Sequence, residues 1–389
     1  MISSLLSPVH ILSFTSMQGS ALERILRYTA MKPGLLHVSV VTDDAPIQGK
    51  QVLIDELAAL TPVEVFSQVQ PNPRAIDIES MFHDDRFSNT DIILGIGGGS
   101  VLDSAKALAM LMTNRGSLES YLQGKPITTR SLPLVLIPTT AGTGSEVTKV
   151  GVYSDSTGRK HTLGSPLMSA HTAVLIASLL DSVPPKLCAA TGLDALDHAL
   201  ESIWNKNSTD NTRECARDAA HTVLQTLPKL YDATVNNQER SSLQEEMLKA
   251  SNEAGIAFNL TGTAAGHAIS FILSESWHIP HGLSCAFTML EVFDWAVRDT
   301  QNREELAKLG KLMHPEQEKT DDLVFALRSD IASLLSHLEI PRTFKDLSLN
   351  LDRNTIRKEF SRVETDAKLH NQTPPLPMED LYSLLEAKL

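Results

Sequence analysis

Two spaced pairs carry most of the chemistry open to this 389-residue chain: Asp194 with His198, and His267 with His281. Asp194-Ala-Leu-Asp-His198 sets a carboxylate and an imidazole four residues apart, so a helix presents both on one face. His267 and His281 lie far downstream, the second within Ile279-Pro280-His281-Gly282. One carboxylate and three imidazoles form a donor set for a divalent transition metal. The segment from Thr191 to Ala199 is otherwise apolar on its face, where charge is costly unless something compensates it. Asp197 is a competing carboxylate that points elsewhere than His198, and reads as a supporting or surface group. His278, three residues before His281, reads as an alternative ligand or a pocket group. For any single histidine among the thirteen, a hydrogen-bonded structural role is the simpler reading. The combination makes the case.

Upstream, Gly95-Ile96-Gly97-Gly98-Gly99-Ser100 follows an apolar run and precedes a helical one. Glycines let a diphosphate approach the backbone, and a helix N-terminus offers unpaired N–H groups with a positive partial charge. Ser100 is placed to cap that helix. The loop is neither the usual dinucleotide fingerprint nor a Walker loop, since Lys106 comes too late. A second polar loop, Pro138-Thr139-Thr140-Ala141-Gly142-Thr143-Gly144-Ser145-Glu146, follows the next apolar strand. Sequential parallel strands would bring both loops to one sheet edge, where α/β proteins bind ligands. Asp43, at the end of an earlier strand, can accept hydrogen bonds from ribose hydroxyls and repel a 2′-phosphate. The plain alternatives are a tight turn, a Ser/Thr loop and a surface-turn aspartate.

The elements that must position these groups change character along the chain. Strand-like runs at 36–42, 63–66, 90–96 and 132–137 alternate with helix-like runs at 51–60, 74–83 and 101–112. That alternation predicts a parallel sheet with helices on both faces. Beyond Pro184-Pro185 nearly every segment has helical spacing: 186–204, 211–230, 241–258, 267–273, 283–296, 303–313, 321–338, 354–363 and 378–387. Two domains are expected, 1–184 α/β and 185–389 all-α.

Composition narrows the function classes. Forty-seven acidic against thirty-four basic residues give a net charge of −13, which argues against nucleic-acid and anionic-membrane partners. The three cysteines, Cys188, Cys215 and Cys285, match no thiolate zinc motif and read as free, buried or partly buried thiols. The N-terminal MISSLLSPVHILSF lacks a basic region, and Ser and Pro break its apolar run, so it does not read as a signal peptide. No stretch has the length of a membrane span. A reducing cytoplasm is the expected compartment.

Taken together, these motifs resemble the iron-containing (group III) alcohol dehydrogenase family. The resemblance runs through Val41-Thr42-Asp43, Pro71-Asn72-Pro73, Gly97-Gly98-Gly99-Ser100-Val-Leu-Asp103-Ser-Ala-Lys106, Pro138 to Glu146, Gly192-Leu-Asp194-Ala-Leu-Asp-His198-Ala and Ile279-Pro280-His281-Gly282. It implies a dinucleotide-binding α/β domain followed by a helical metal-binding domain, the dehydroquinate synthase-like arrangement. It implies metal ligation by Asp194, His198, His267 and His281. It also implies NAD(P) contacts at Asp43, Asn72, Gly98, Gly99, Ser100, Asp103, Thr139, Thr140, Thr143 and Lys160. The metal it implies is Fe2+, with Zn2+ or Ni2+ compatible with the same donors, and the assembly it implies is a homodimer. Many members of that family carry another histidine four residues after the third ligand. Here that residue is Phe271, so no proton relay runs through it. The His267-Ala-Ile-Ser-Phe271 form resembles a branch that includes phosphonoacetaldehyde reductases.

The expected reaction is hydride transfer between a nicotinamide and a small primary alcohol or aldehyde, with the metal acting as a Lewis acid. No side-chain nucleophile stands out, and no catalytic side chain is assigned beyond the metal centre. Two alternatives keep the architecture. One is a metal- and NAD-dependent lyase like dehydroquinate synthase, which would need a basic pocket that the sequence does not display. The other is a non-catalytic metal- and nucleotide-binding relative.

Overall fold

The computed structural model describes residues 6–32 and 34–389. The chain divides into two compact units, the first ending at Val183 and the second running from Pro184 to Leu389.

The first unit is built on a six-stranded parallel sheet. In chain order its strands are β1 (His10–Phe14), β2 (Val38–Thr42), β3 (Val63–Phe66), β4 (Ile92–Gly97), β5 (Leu134–Pro138) and, after a separate antiparallel hairpin of β6 (Val150–Ser154) and β7 (Lys160–Gly164), β8 (Thr172–Ile176). Across the sheet they run β1-β8-β5-β4-β2-β3. Alternate residues explain how both faces are covered. Val38, Val40, Ile92, Leu94, Ile96, Val135, Ile137, Val174 and Ile176 point into one core with Leu22 and Leu26 of α1 (Gly19–Ala30) and Leu53, Ile54 and Leu57 of α2 (Gln48–Ala58). The intervening positions face α4 (Gly99–Leu111), which follows α3 (Ala75–Phe82) and precedes the short α5 (Leu118–Leu122). Contact there is close: a Cβ added at Gly95 would lie 2.9 Å from the Ala105 Cβ and 2.8 Å from Leu136 Cδ2.

The strand expected to be first is therefore the second. Strands β1 and β8 and the hairpin are additions to the sequence reading. β1 lies at a sheet edge, with exposed and half-buried residues along its length, and its register, His10 beside Thr172, is supplied by distant chain. An edge strand of this kind has no clean hydrophobic period.

The second unit is helical: α6 (Pro185–Trp204), α7 (Asp210–Val235), α8 (Ser241–Thr261), α9 (Ala265–Trp277), α10 (His281–Phe287), α11 (Met289–Ala296), α12 (Thr300–Met313), α13 (Thr320–His337), α14 (Arg353–Phe360) and α15 (Met378–Glu386). Helix α6 starts with Pro185 in its first turn, where the missing N–H is harmless, and is buried on nearly every side from Cys188 to Trp204. It lies tightly against α7, since a Cβ at Gly192 would meet Leu227 Cδ1 at 2.4 Å. The single helix expected over 283–296 is two helices, interrupted at the buried Thr288, whose backbone sits at φ −112°, ψ 10°. Among the described residues no single helix is long and apolar enough to cross a membrane; α8 and α9 meet both conditions only together, as a pair bent by 103°.

Candidate metal centre

Helix α6 carries Asp194, Asp197, His198 and Glu201 at i, i+3, i+4 and i+7, one polar stripe in an apolar helix. All four are buried. Helix α9 begins just after the chain turns at Gly262, whose φ of +78° suits glycine. That start leaves backbone N–H groups without helical acceptors. Glu201 reaches across from α6 to take them: its Oε2 accepts from Ala264 N at 2.6 Å, and its Oε1 from Gly266 N at 2.7 Å and His267 N at 3.2 Å. Oε2 also lies 2.8 Å from His267 Nδ1. The carboxylate thus sits where the helix dipole favours negative charge and fixes the His267 ring at the same time.

Holding Nδ1 turns His267 Nε2 toward Asp194 Oδ1, 3.5 Å away. His281 Nε2, from the first residue of α10, lies 3.5 Å from the same oxygen. Cys285 Sγ, one turn further along α10, is 3.8 Å from His281 Nε2. Ligand atoms of Asp194, His267, His281 and Cys285 all fall within 4.8 Å of one another. Asp194 Oδ1 and His267 Nε2 are buried with no hydrogen-bond partner. Buried polar atoms left unpaired on converging lone pairs are what a bound cation would satisfy, so the donor set fits a divalent metal.

His198 lies beside this group. Its ring stacks between Phe258, 4.1 Å away, and His267, 4.4 Å away, and its Nδ1 is buried without a partner. Asp197 is buried, not at the surface, with Oδ2 3.1 Å from His267 Nδ1. His278 is exposed; it ends α9 in the left-handed region at φ 56°.

Charge at the centre is strongly perturbed. Burial works to raise the Asp194 carboxyl, but the imidazoles of His198, His281 and His267 outweigh it and hold that acid below its ordinary value. Burial, then the neighbouring Glu201, pushes Asp197 up to about 7. Burial pushes His198 down to about 3 and the Cys285 thiol up to about 12. Burial opposes a proton on His267, yet the Cys285 sulfur and the Glu201, Asp194 and Asp197 carboxylates keep that ring well above the usual histidine range. A site that attracts positive charge this strongly suits a cation.

In the first unit the structure gathers the polar loops at the carboxyl ends of β2, β4 and β5. Gly98 precedes α4 in extended conformation without a side-chain cap. Ser100 is inside the helix and does not cap it; its Oγ instead accepts from Asn72 N at 3.2 Å. Thr139 N donates to Gly97 O at 3.0 Å. Thr143 lies over the loop, 2.7 Å from where a Gly99 Cβ would be, and Thr140 Oγ1 lies 3.7 Å from that position on Gly98. Gly99 therefore leaves room for Thr143 but not for a side chain of its own, whereas a Cβ at Gly98 would make only ordinary contact with Thr140.

Asp103 faces inward: it accepts from Ser145 Oγ at 2.6 Å and Val152 N at 2.9 Å. The fully buried Lys106 joins it by donating to Ser145 Oγ, Thr148 Oγ1 and Val150 O, so both residues bind α4 to the second loop and the hairpin. Lys160 opens β7, paired in register with Ser154. Asp43, at the end of β2, makes a 2.7 Å ion pair with the buried Lys50. That pair offsets part of the negative charge expected to repel a 2′-phosphate.

Residues 16–177 match the iron-containing alcohol dehydrogenase description, and residues 188–389 the C-terminal part of the Fe-containing alcohol dehydrogenase family. The chain belongs to the iron-containing alcohol dehydrogenase family. A sulfoacetaldehyde reductase of Bilophila wadsworthia is 30% identical over 365 residues, 90% of each chain. The 1-propanol dehydrogenase PduQ of Citrobacter freundii is 33% identical over 290 residues, 74% of this chain and 72% of that one. The solved sulfoacetaldehyde reductase of Bifidobacterium kashiwanohense in complex with NAD+ superposes with a TM-score of 0.86 at 28% identity, covering 98% and 97% of the two chains. These relatives favour the alcohol–aldehyde oxidoreductase reading over the lyase and the non-catalytic one. The parallel-sheet unit and the helical unit are the architecture of iron-containing alcohol dehydrogenases.

Within that family framework, two residues at the centre went unassigned by sequence reasoning. Glu201 continues the 194–197–198 stripe by one turn, a signal that was legible. Cys285 was read as a free thiol, which it is. Its place beside His281 follows from the four-residue spacing on α10, but only once that segment is known to be helical.

Proposed function

We propose that this protein transfers hydride between a nicotinamide cofactor and a small primary alcohol or aldehyde, at a divalent centre held by Asp194, His198, His267 and His281. The observation that carries the reading is the convergence of unpaired, buried Asp194 Oδ1 and His267 Nε2 with His281 Nε2. A divalent ion bound there, Fe2+ by family and Zn2+ or Ni2+ by donor type, supplies Lewis-acid polarisation of the substrate oxygen. The protein's part is positional. Glu201 fixes the His267 tautomer, with its lone pair on Nε2. His281, its side chain 33% exposed, is the open side of the group, while Asp194 and His267 are sealed beneath it. Phe271, packed 6.1 Å from His281, carries no exchangeable proton and serves as an apolar wall.

For the cofactor we propose contacts at Asp43, Asn72, Gly98, Gly99, Ser100, Asp103, Thr139, Thr140, Thr143 and Lys160. Asp103 acts chiefly by holding the loop, given its inward hydrogen bonds. NAD is favoured over NADP by Asp43, weakly because of Lys50. The remaining proposals are domains at 1–184 and 185–389, a cytoplasmic homodimer, and no nucleic-acid or membrane partner.

The test is a panel of aldehydes with NADH and NADPH on protein of measured metal content. His267→Ala and His281→Ala should lose both metal and turnover while keeping their helical circular dichroism. Full turnover by a verified metal-free variant would refute the reading.

A further inference from the structure

We infer that Lys368 is the binding residue for an anionic group on the substrate, making the preferred aldehyde a short one that ends in a sulfonate, phosphonate or similar fixed charge. The inference rests on the reaction proposed above and names its substrate class.

Lys368 lies between two short 3-10 turns, Ser361–Thr365 and Leu369–Asn371. Its ammonium stands 3.9 Å above the centroid of the Phe271 ring. His281 also packs against that ring, 6.1 Å from it. Phe271 therefore adjoins both the imidazole on the open side of the metal centre and a cation. The Lys368 side chain is 18% exposed, so its charge is partly withdrawn from water yet still reachable.

The segment is held in place. Asn371 Nδ2 donates to Thr263 O at 2.9 Å, fixing it to the turn before α9, and Lys368 N donates to Asp366 Oδ1 at 2.8 Å. Asp366 Oδ2 is the carboxylate nearest to the ammonium, 3.5 Å away. It satisfies part of the charge, but an ammonium has three donors, and the ring face accepts no conventional hydrogen bond.

Chemistry decides what such a grouping selects. An aldehyde whose oxygen engages the metal centre lays its carbon chain along Phe271. A neutral chain gains only apolar contact there. A chain of two or three carbons ending in an anion reaches toward Lys368 and gains a charge-assisted hydrogen bond, the stronger kind. A plainer role for Lys368, covering Phe271 with its methylene stem, predicts no preference for charge.

Lys368→Met keeps the stem over the ring and removes the charge, so it separates the two roles. We expect kcat/KM for sulfoacetaldehyde or phosphonoacetaldehyde to fall about 10-fold or more, mostly in KM, with propanal changed less than about 2-fold. Lys368→Arg should keep part of the preference. Binding is read separately, by isothermal titration of metal-loaded protein with ethanesulfonate and ethylphosphonate. The wild type should bind at least one of them, and Lys368→Met should bind about 10-fold more weakly. Equal losses for charged and neutral aldehydes, no loss at all, or anion binding that is absent or indifferent to Lys368 would overturn the inference. Lys368-dependent anion binding without turnover of any aldehyde would instead sink the reaction proposed above and leave the anion site standing.

Discussion

Glu201→Gln is the sharpest test of how the metal centre is built. The buried Glu201 carboxylate accepts from four N–H groups: Ala264 N and His267 Nδ1 on Oε2, Gly266 N and His267 N on Oε1. A glutamine amide has the same shape but one acceptor oxygen and one donor nitrogen. If its nitrogen replaces Oε1, the backbone N–H groups of Gly266 and His267 both lose their acceptor, at about 1–3 kcal/mol each. If it replaces Oε2, only Ala264 N–H is stranded, so this orientation wins. In that orientation the amide donates to His267 Nδ1, and the ring proton must move to Nε2. That atom faces Asp194 Oδ1 at 3.5 Å, and once protonated it has no lone pair for a metal. Metal affinity should therefore fall by about 10- to 100-fold, the usual consequence of losing a ligand's supporting carboxylate. The metal-free protein should lose about 1–3 kcal/mol of stability from the single stranded donor. Chelator competition with Co2+ or Zn2+ reads the first quantity, and urea unfolding of the metal-free protein the second. A Glu201→Gln protein with wild-type affinity and wild-type unfolding would refute the argument that this carboxylate sets the His267 tautomer.

Gly282→Ala should displace His281, because a Cβ at Gly282 would lie 2.0 Å from the backbone oxygen of Ala190 on α6; a loss of about 1–3 kcal/mol in unfolding free energy, together with weaker metal binding, is expected. Gly99→Ala should push on Thr143, whose Cγ2 is 2.7 Å from the new Cβ. NADH binding by fluorescence should weaken with metal content unchanged, whereas intact NADH binding would remove this loop from the cofactor site. His171 gives a pH-dependent stability. Burial, then the Arg130 charge, pushes its ring down to about 4, and Leu134 N donates to its Nδ1 at the start of β5. The neutral ring is favoured in the fold, so its contribution is complete above the unfolded value of about 6.5 and is lost as pH falls toward 4. Discounted for partial exposure, that contribution is about 1–2 kcal/mol. The pH dependence of urea unfolding between pH 7 and 4.5 should be correspondingly shallower in His171→Asn.

The sheet unit was partly legible because buried parallel strands leave apolar runs with helices between them. β3 falls where its alternation and flanking turns placed it, and the expected runs around β2, β4 and β5 shift by one or two residues. Edge strand β1 and the β6–β7 hairpin were missed because their signals are long-range: β1 is defined by β8, and the hairpin is fastened to α4 by Asp103 and Tyr153. Ser100 was expected to cap and does not, because the extended Gly98 after β4 already takes the capping position and the helix begins at Gly99, two residues sooner than its side-chain pattern suggested.

At the metal centre, spacing along one helix was readable without coordinates. Residues 194, 197, 198 and 201 share a face of α6 because 3.6 residues make a turn, and an apolar helix with such a stripe must satisfy it somewhere. Sequence also set the chain's acidity, its glycine loop and its change to helix after Pro184. Partners across sequence gaps belonged to the tertiary fold alone. That Glu201 closes the N-terminus of α9, that His281 Nε2 faces Asp194, and that Lys368 stands over Phe271 depend on packing between segments tens of residues apart, because side-chain neighbours across such gaps are fixed by how helices pack and not by any local periodicity.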